Sequence, residues 1–171
     1  VNLYGGTKLC LEKLITLAND YNGGKLKTCV LRYGNVAGSR GSVIPLFLNQ
    51  KKDGIFTVTS LEMTRFTLTI SEARNFVLNC ITSFEGGEIF VPKLKKYTLS
   101  KLCHVIEPKN KITIIGIRPG EKIHEEMICQ AESLNAWESD EFFIIKSDYY
   151  RNSIISENII KKFNLVQSNK I

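Results

Sequence analysis

The stretch Arg32-Tyr33-Gly34-Asn35-Val36-Ala37-Gly38-Ser39-Arg40-Gly41-Ser42-Val43-Ile44-Pro45 decides how this chain is read. An apolar run, Cys29-Val30-Leu31, stands directly before it. Such runs fill buried parallel strands, and glycines and serines after a strand present backbone N–H groups that can approach phosphate or sugar. The stretch therefore reads as a strand that delivers a Gly/Ser loop to a ligand, and a nucleotide is the expected class.

Outward from that loop, helices and strands alternate. Leu11, Leu14, Ile15 and Ala18 recur at helical spacing and Asn22-Gly23-Gly24 supplies a stop, which predicts an opening helix followed by a strand over residues 28–33. Further strands are expected at 56–59, 65–68, 88–91 and 112–117. Ser71 is read as the cap of a helix whose stripe is Ala73, Phe76, Val77, Cys80 and Ile81, and Thr98 as the cap of one carrying Leu99, Leu102, Cys103 and Ile106. A short helix is expected to bear Ile123, Met127 and Ile128, with a polar tail beyond Tyr150. The order implies an α/β sheet with a smaller appended lobe.

Composition narrows the function. A chain of 171 residues with 43% hydrophobic content fits one ordinary globular domain. The longest apolar runs fall far short of the roughly 18 residues that cross a bilayer, and no signal sequence opens the chain, so no membrane and a cytoplasmic location are expected. The net charge of +6 is spread along the chain, and its short clusters at 51–52 and 93–96 lack interleaved aromatics, which argues against nucleic acid. Five cysteines without a C-x-x-C pair read as reduced, mostly buried thiols. His104 and His124 lack metal-ligand spacing and read as structural or surface residues, so no metal is expected.

Tyr4 and Lys8 stand four apart at the head of the first helix, on one face. An ammonium held near a phenol favours the ionised form, which can act as a general base. Tyr21 with Lys25 and Tyr97 with Lys101 repeat the spacing, so spacing alone does not make Tyr4 catalytic. Tyr4 differs in being followed by Gly5-Gly6-Thr7, which would let a ligand approach, and in leading through a helix to the Gly/Ser loop. No two glycines stand two positions apart, so the chain holds no G-x-G-x-x-G dinucleotide fingerprint.

Six strings in one order make the reading specific: Asn2-Leu3-Tyr4-Gly5-Gly6-Thr7-Lys8, Arg32-Tyr33-Gly34-Asn35-Val36, Gly38-Ser39-Arg40-Gly41-Ser42-Val43, Met63-Thr64-Arg65-Phe66, Gly86-Gly87-Glu88-Ile89-Phe90-Val91-Pro92-Lys93 and Ile115-Gly116-Ile117-Arg118-Pro119-Gly120-Glu121-Lys122. From Val1 to about Tyr150 the chain resembles the extended short-chain dehydrogenase/reductases, and within them the inverting, CapD-like UDP-N-acetylglucosamine 4,6-dehydratases of surface-polysaccharide and flagellin-sugar synthesis. Gly6 stands where that family usually has Ala. Family members carry the glycine fingerprint, the first half of the Rossmann domain and an Asp-Lys acid/base pair upstream of the tyrosine. The chain is therefore expected to be the C-terminal part of such an enzyme, inactive by itself.

The resemblance implies a Rossmann-type parallel sheet. Residues 1–92 would be the C-terminal part of the NAD-binding domain with an inserted substrate segment near 42–64, 93–150 a nucleotide-sugar-binding lobe, and 151–171 the polar tail. It implies NAD in preference to NADP, a UDP-N-acetylglucosamine or related UDP-sugar substrate, and a homo-oligomer at full length. By its motifs, Tyr4 would deprotonate the sugar C4 hydroxyl while hydride passes to NAD. Water would then be lost across C5 and C6, and hydride returned to C6. Lys8 would hold the NAD ribose, and Val36, Ala37, Gly38, Ser39 and Arg40 would face the cofactor. Asn35, Thr59, Arg118 and Glu121 would face the substrate, the guanidinium of Arg118 suiting a diphosphate. Plainer roles compete: an interlobe ion pair for Arg118, satisfaction of strand-end backbone for Asn35, and either a structural or a phosphate-binding role for Arg65. A nucleotide-sugar 4-epimerase is the rival enzyme, and a non-catalytic sugar-nucleotide- or partner-binding module the rival of another class.

Overall fold

The run before the Gly/Ser loop forms a parallel strand, though a short one that is half-buried rather than buried. In the computed structural model, which describes residues 3–21, 23, 25–146 and the strand at 164–165, β1 (Val30–Leu31) pairs in parallel with β5 (Ile89–Pro92), Val30 opposite Ile89 and Leu31 opposite Phe90. Arg32 N–H extends the ladder to the Phe90 carbonyl at 2.9 Å. The strand expected over 28–33 keeps only these two residues, although the Thr28 carbonyl accepts from Gly87 N–H at 2.7 Å, and Thr28 is held as well by α1 (Leu3–Tyr21). Asn19 of α1 donates to the Thr28 carbonyl and hydroxyl and accepts from its N–H, and the Thr28 hydroxyl donates to the Ile15 carbonyl.

The sheet runs β1-β5-β9-β8-β10, with β8 (Ala136–Glu138), β9 (Phe142–Ile145) and β10 (Asn164–Leu165) joined antiparallel beyond β5. The architecture is mixed α/β, as expected, and the parallel pairing in this sheet runs between β1 and β5. All four residues of β5 are buried, and strand alternation divides them between two faces. Ile89 and Val91 pack with Ile128, Ala136 and Ile145. Phe90 packs with Ile144 and with Phe76 and Cys80 of α3 (Ile70–Ile81). Burial pushes the Cys80 thiol up to about 12, with the neighbouring Cys29 adding to the effect.

A second set of elements follows the Gly/Ser loop. β2 (Asn35–Val36) runs parallel to β4 (Thr64–Leu68), which pairs antiparallel with β6 (Lys95–Thr98). β3 (Ile55–Val58) pairs in parallel with β7 (Lys111–Ile114). Phe47 of α2 (Val43–Gln50), Phe56 and Val58 of β3, Met63, and Leu99 and Cys103 of α4 (Leu99–Ile106) close one core, with the Phe47 and Phe56 rings 5.3 Å apart.

Two compact units result. One takes the described residues of Val1–Tyr33, Arg74–Lys93 and Glu126–Ile171, the other Gly34–Ala73 and Leu94–Glu125. They interleave along the chain, whereas the sequence predicts a first domain over 1–92 with an inserted substrate segment near 42–64, and a second lobe over 93–150. The reason is that β8 and β9 return to β5 and complete the first unit's sheet.

Other differences have local causes. Helix α2 occupies residues read as loop, since Pro45 sits in its first turn, where the backbone N–H has no helical partner to lose. The helix expected to bear Ile123, Met127 and Ile128 does not form: the Ile123 carbonyl accepts from Thr64 N–H at 3.0 Å and His124 bridges to Thr64, which holds the segment against β4. The short helix α5 (Gln130–Ser133) follows instead. Helix α3 is capped by Thr69 rather than Ser71. The Thr69 hydroxyl accepts from Glu72 N–H, and the Glu72 carboxylate accepts from Thr69 N–H. Ile81 is exposed rather than part of the buried stripe. Cys10 and Cys129 are exposed, not buried, although all five thiols are free. Apart from β10, the tail beyond Tyr150 lies outside the described residues. No helix among the described residues is long and apolar enough to cross a membrane.

Candidate active site

Helix α1 presents Tyr4 and Lys8 as its spacing predicts. The two are one turn apart, and Lys8 Nζ lies 5.2 Å from the Tyr4 ring centroid, over the ring. That distance is within the range of a cation–π contact. Tyr4 is 71% exposed, and residues 7–11 are all exposed, so both reactive groups are open to a ligand. The other two Tyr/Lys pairs differ. Tyr21 is the last residue of α1, with Lys25 beyond its end, and Tyr97 is half-buried in β6 opposite Arg65 in the β4–β6 ladder, with burial raising its pKa.

The remaining candidates belong to the second unit. β2 carries Asn35 and Val36 into the loop, and Ala37 N–H is fixed to the Leu68 carbonyl at 2.8 Å. Ser39 N–H donates to the Val36 carbonyl and Ser42 N–H to that of Ser39. These bonds fold the loop, and Gly38 and Gly41 take left-handed φ values of 74° and 73° within it. Among the described residues the N–H groups of Gly38, Arg40 and Gly41 have no hydrogen-bond partner, and all three residues are exposed. The loop therefore offers backbone donors and one guanidinium to an anion or a sugar hydroxyl. The exposed Asn35 side chain makes no hydrogen bond to a described residue, so it does not satisfy strand-end backbone; the Asn35 carbonyl accepts from the Thr67 hydroxyl. Thr59 follows β3 directly and is half-buried.

Arg118 and Glu121 close one turn. Glu121 N–H donates to the Arg118 carbonyl at 3.0 Å, and Arg118 N–H donates to Glu121 Oε2 at 3.3 Å. Pro119 supplies the first inner position and Gly120, at φ 78°, the second, which is the arrangement of a type II turn. The Arg118 side chain is left exposed. Arg65 takes the structural of its two readings. Its side chain is 13% exposed, its Nη1 donates to the carbonyls of Thr64 and Ile123, and its guanidinium faces Glu121 at 3.6 Å and Glu125 at 3.4 Å. Together with the Thr64 hydroxyl against His124 Nδ1 at 2.9 Å, it fastens the Arg118-bearing turn to β4.

Three charged residues outside the expected set form a closed ion cluster in the unit that carries Tyr4. Arg32 Nη2 lies 2.7 Å from Glu12 Oε1 and 2.8 Å from Glu132 Oε1. The available signals were an arginine placed directly after an apolar run, and a glutamate four residues past Lys8 on the same helical face.

A family model described as polysaccharide biosynthesis protein matches residues 1–147. Over 148 residues the chain is 42% identical to a Campylobacter jejuni protein named UDP-N-acetylglucosamine 4,6-dehydratase (inverting), a match that covers 85% of this chain and 44% of that one. It is 38% identical over 154 residues to a UDP-glucose 4-epimerase of Rickettsia conorii, covering 86% of this chain and 45% of the epimerase. The solved structure of Pen from Bacillus thuringiensis matches with a TM-score of 0.84 at 37% identity, over 98% of this chain and 52% of Pen. The chain spans about half the length of the relatives it matches.

Proposed function

The chain belongs to the polysaccharide biosynthesis protein family, and from that premise we propose that it carries the Tyr/Lys and sugar-nucleotide parts of an NAD-dependent, inverting UDP-N-acetylglucosamine 4,6-dehydratase. The observation that carries the reading is the Tyr4–Lys8 pair, one turn apart and exposed at the head of α1. The name of the Campylobacter jejuni relative supplies the reaction and substrate class.

Tyr4 is the group for the proton of the sugar C4 hydroxyl, and Lys8 for the cofactor ribose, both within reach of a ligand laid along the exposed head of the helix. The loop from Val36 to Arg40 fits a dinucleotide: its free N–H groups and the Arg40 guanidinium suit phosphate oxygens, and nothing lies within 4 Å of where a Cβ at Gly38 or Gly41 would stand. The chemistry that a bound NAD would supply is reversible hydride storage between C4 and C6 of the sugar. Asn35 and Thr59 are assigned to sugar hydroxyls and Arg118 to the diphosphate, which its exposed fork can bind through paired hydrogen bonds. Glu121 shapes the Arg118 turn and offers its remaining lone pairs to ribose. The acid and base of the elimination are assigned upstream of Tyr4.

The epimerase reading has the Rickettsia conorii relative in its favour. The two differ in product mass. The intact gene product, incubated with UDP-N-acetylglucosamine, is expected to give a 4-keto product lighter than substrate by one water. An epimer of unchanged mass would favour the rival, and no turnover would count against both.

A further inference from the structure

Arg32 uses every donor it has. Nε donates to Glu12 Oε2 at 3.1 Å, Nη1 to Glu132 Oε2 at 2.9 Å and the Met127 carbonyl at 2.7 Å, and Nη2 to Glu12 Oε1 at 2.7 Å and Glu132 Oε1 at 2.8 Å. A guanidinium carries five N–H groups in a fixed planar fork, and here all five are engaged, in two paired contacts and one backbone contact. Glu132 Oε2 also accepts from Cys129 N–H at 2.9 Å, which ties the cluster to the start of α5. The side chains of Glu12, Arg32 and Glu132 are 12%, 21% and 22% exposed, so solvent screens these contacts less than it would a surface pair. Three segments meet at this one side chain: α1 through Glu12, the end of β1 through Arg32 itself, and residues 127–132.

Glu12 is the fourth residue after Lys8 and the eighth after Tyr4, so the three follow one another along one side of α1, each about 40° further round the axis and about 6 Å further along it. The exposed stretch 7–11 lies N-terminal to Glu12, and the Asn19–Thr28 contacts lie about 10 Å beyond it toward the C-terminus. Two anchors along one helix define its rotation as well as its place, and the Glu12 anchor is the nearer to the reactive pair. A misplacement of about 1 Å at reacting groups costs roughly 100-fold in rate.

We propose that Arg32 is a positioning residue: by gripping Glu12 it sets the rotation of α1 and so the direction in which Tyr4 and Lys8 meet the sugar and the cofactor. This rests on the dehydratase reading given above. Lysine is not an equivalent at position 32, because a point charge with three donors cannot reproduce two paired carboxylate contacts and a carbonyl bond.

The test uses the intact gene product with Arg32→Lys, Glu12→Gln, the two combined, and Tyr4→Phe alongside. Each single clamp variant is expected to lower kcat by roughly tenfold or more with KM for UDP-N-acetylglucosamine changed less than about twofold, and the combined variant to fall no further than the worse single one. Amide exchange over residues 7–14 is expected to accelerate roughly tenfold while that of β9 stays unchanged. Unchanged kcat and exchange in Glu12→Gln would overturn the proposal, as would equal acceleration in α1 and β9, the mark of general destabilisation. If Tyr4→Phe keeps full turnover, or the unmodified protein has none, the dehydratase reading fails, and the exchange comparison still decides whether Arg32 holds α1.

Discussion

Glu132 shows how one contact ties stability to pH. Burial works against its charge, but hydrogen bonds from Arg32 and Cys129 N–H together with the Arg32 charge outweigh it and hold the carboxyl at about 2, against an ordinary 4.5. For Arg32 the same balance favours the charged form: burial alone would lower its pKa, and the bonds to Glu132 and Glu12 raise it. A folded-state value below the unfolded one contributes stability that is fully present above about pH 4.5 and lost as pH falls toward 2. Chemical denaturation across that window should therefore show a falling midpoint, with Glu132→Gln less stable at neutral pH and visibly flatter below 4.5. Two glycines should respond oppositely to alanine. At Gly34 a Cβ would stand 2.8 Å from the Phe66 carbonyl oxygen and Cβ, so β2 and β4 would have to separate, at about 1–3 kcal/mol of stability. At Gly6, inside α1, nothing lies within 4 Å, and alanine should stabilise the helix by about 1 kcal/mol or less. Urea midpoints of the two variants check both signs.

Among the elements, α1 departs furthest from an ordinary amphipathic helix. Its buried side chains are the polar Thr16 and Asn19, while Leu11 and Leu14, which marked its periodicity, are 57% and 65% exposed. Apolar spacing identified the helix, but only part of its stripe turns inward: Ile15 and Ala18 are half-buried on the side that Asn19 and the Ile15 carbonyl hold against Thr28. Cap chemistry is read correctly at α4, although Ser100 stands two residues beyond Thr98 with its hydroxyl 3.1 Å away. The Thr98 hydroxyl accepts from Lys101 N–H at 3.2 Å at the head of α4, as expected. Thr98→Ala should cost about 1 kcal/mol, measurable by urea denaturation. At α3, Thr69 and Ser71 compete, and Glu72 settles the choice by completing a capping box with Thr69.

For the whole molecule, the expectation that the 171-residue chain neither retains NAD nor turns over UDP-N-acetylglucosamine remains a prediction. It follows from the missing glycine fingerprint and from relatives about twice as long. Stoichiometric NAD in the purified chain, read by absorbance after denaturation, would contradict it. What the sequence by itself determined was the class of several segments and the chemistry on offer: the apolar run of β1, the helical spacing of Tyr4 and Lys8, the Thr98 cap and the Pro-Gly turn behind Arg118 each depend on neighbours a few residues away. Only the tertiary structure decided matters of distant pairing. It placed β8 and β9 against β5, so that two units interleave; it held residues 121–128 out of a helix by bonding Ile123 to Thr64; it assigned Arg65 to the Arg118 turn; and it closed Arg32 on Glu12 and Glu132, 20 and 100 residues away. Periodicity and capping are local consequences of backbone geometry, whereas a buried charge or an unpaired carbonyl takes whichever partner the folded chain brings within hydrogen-bond reach.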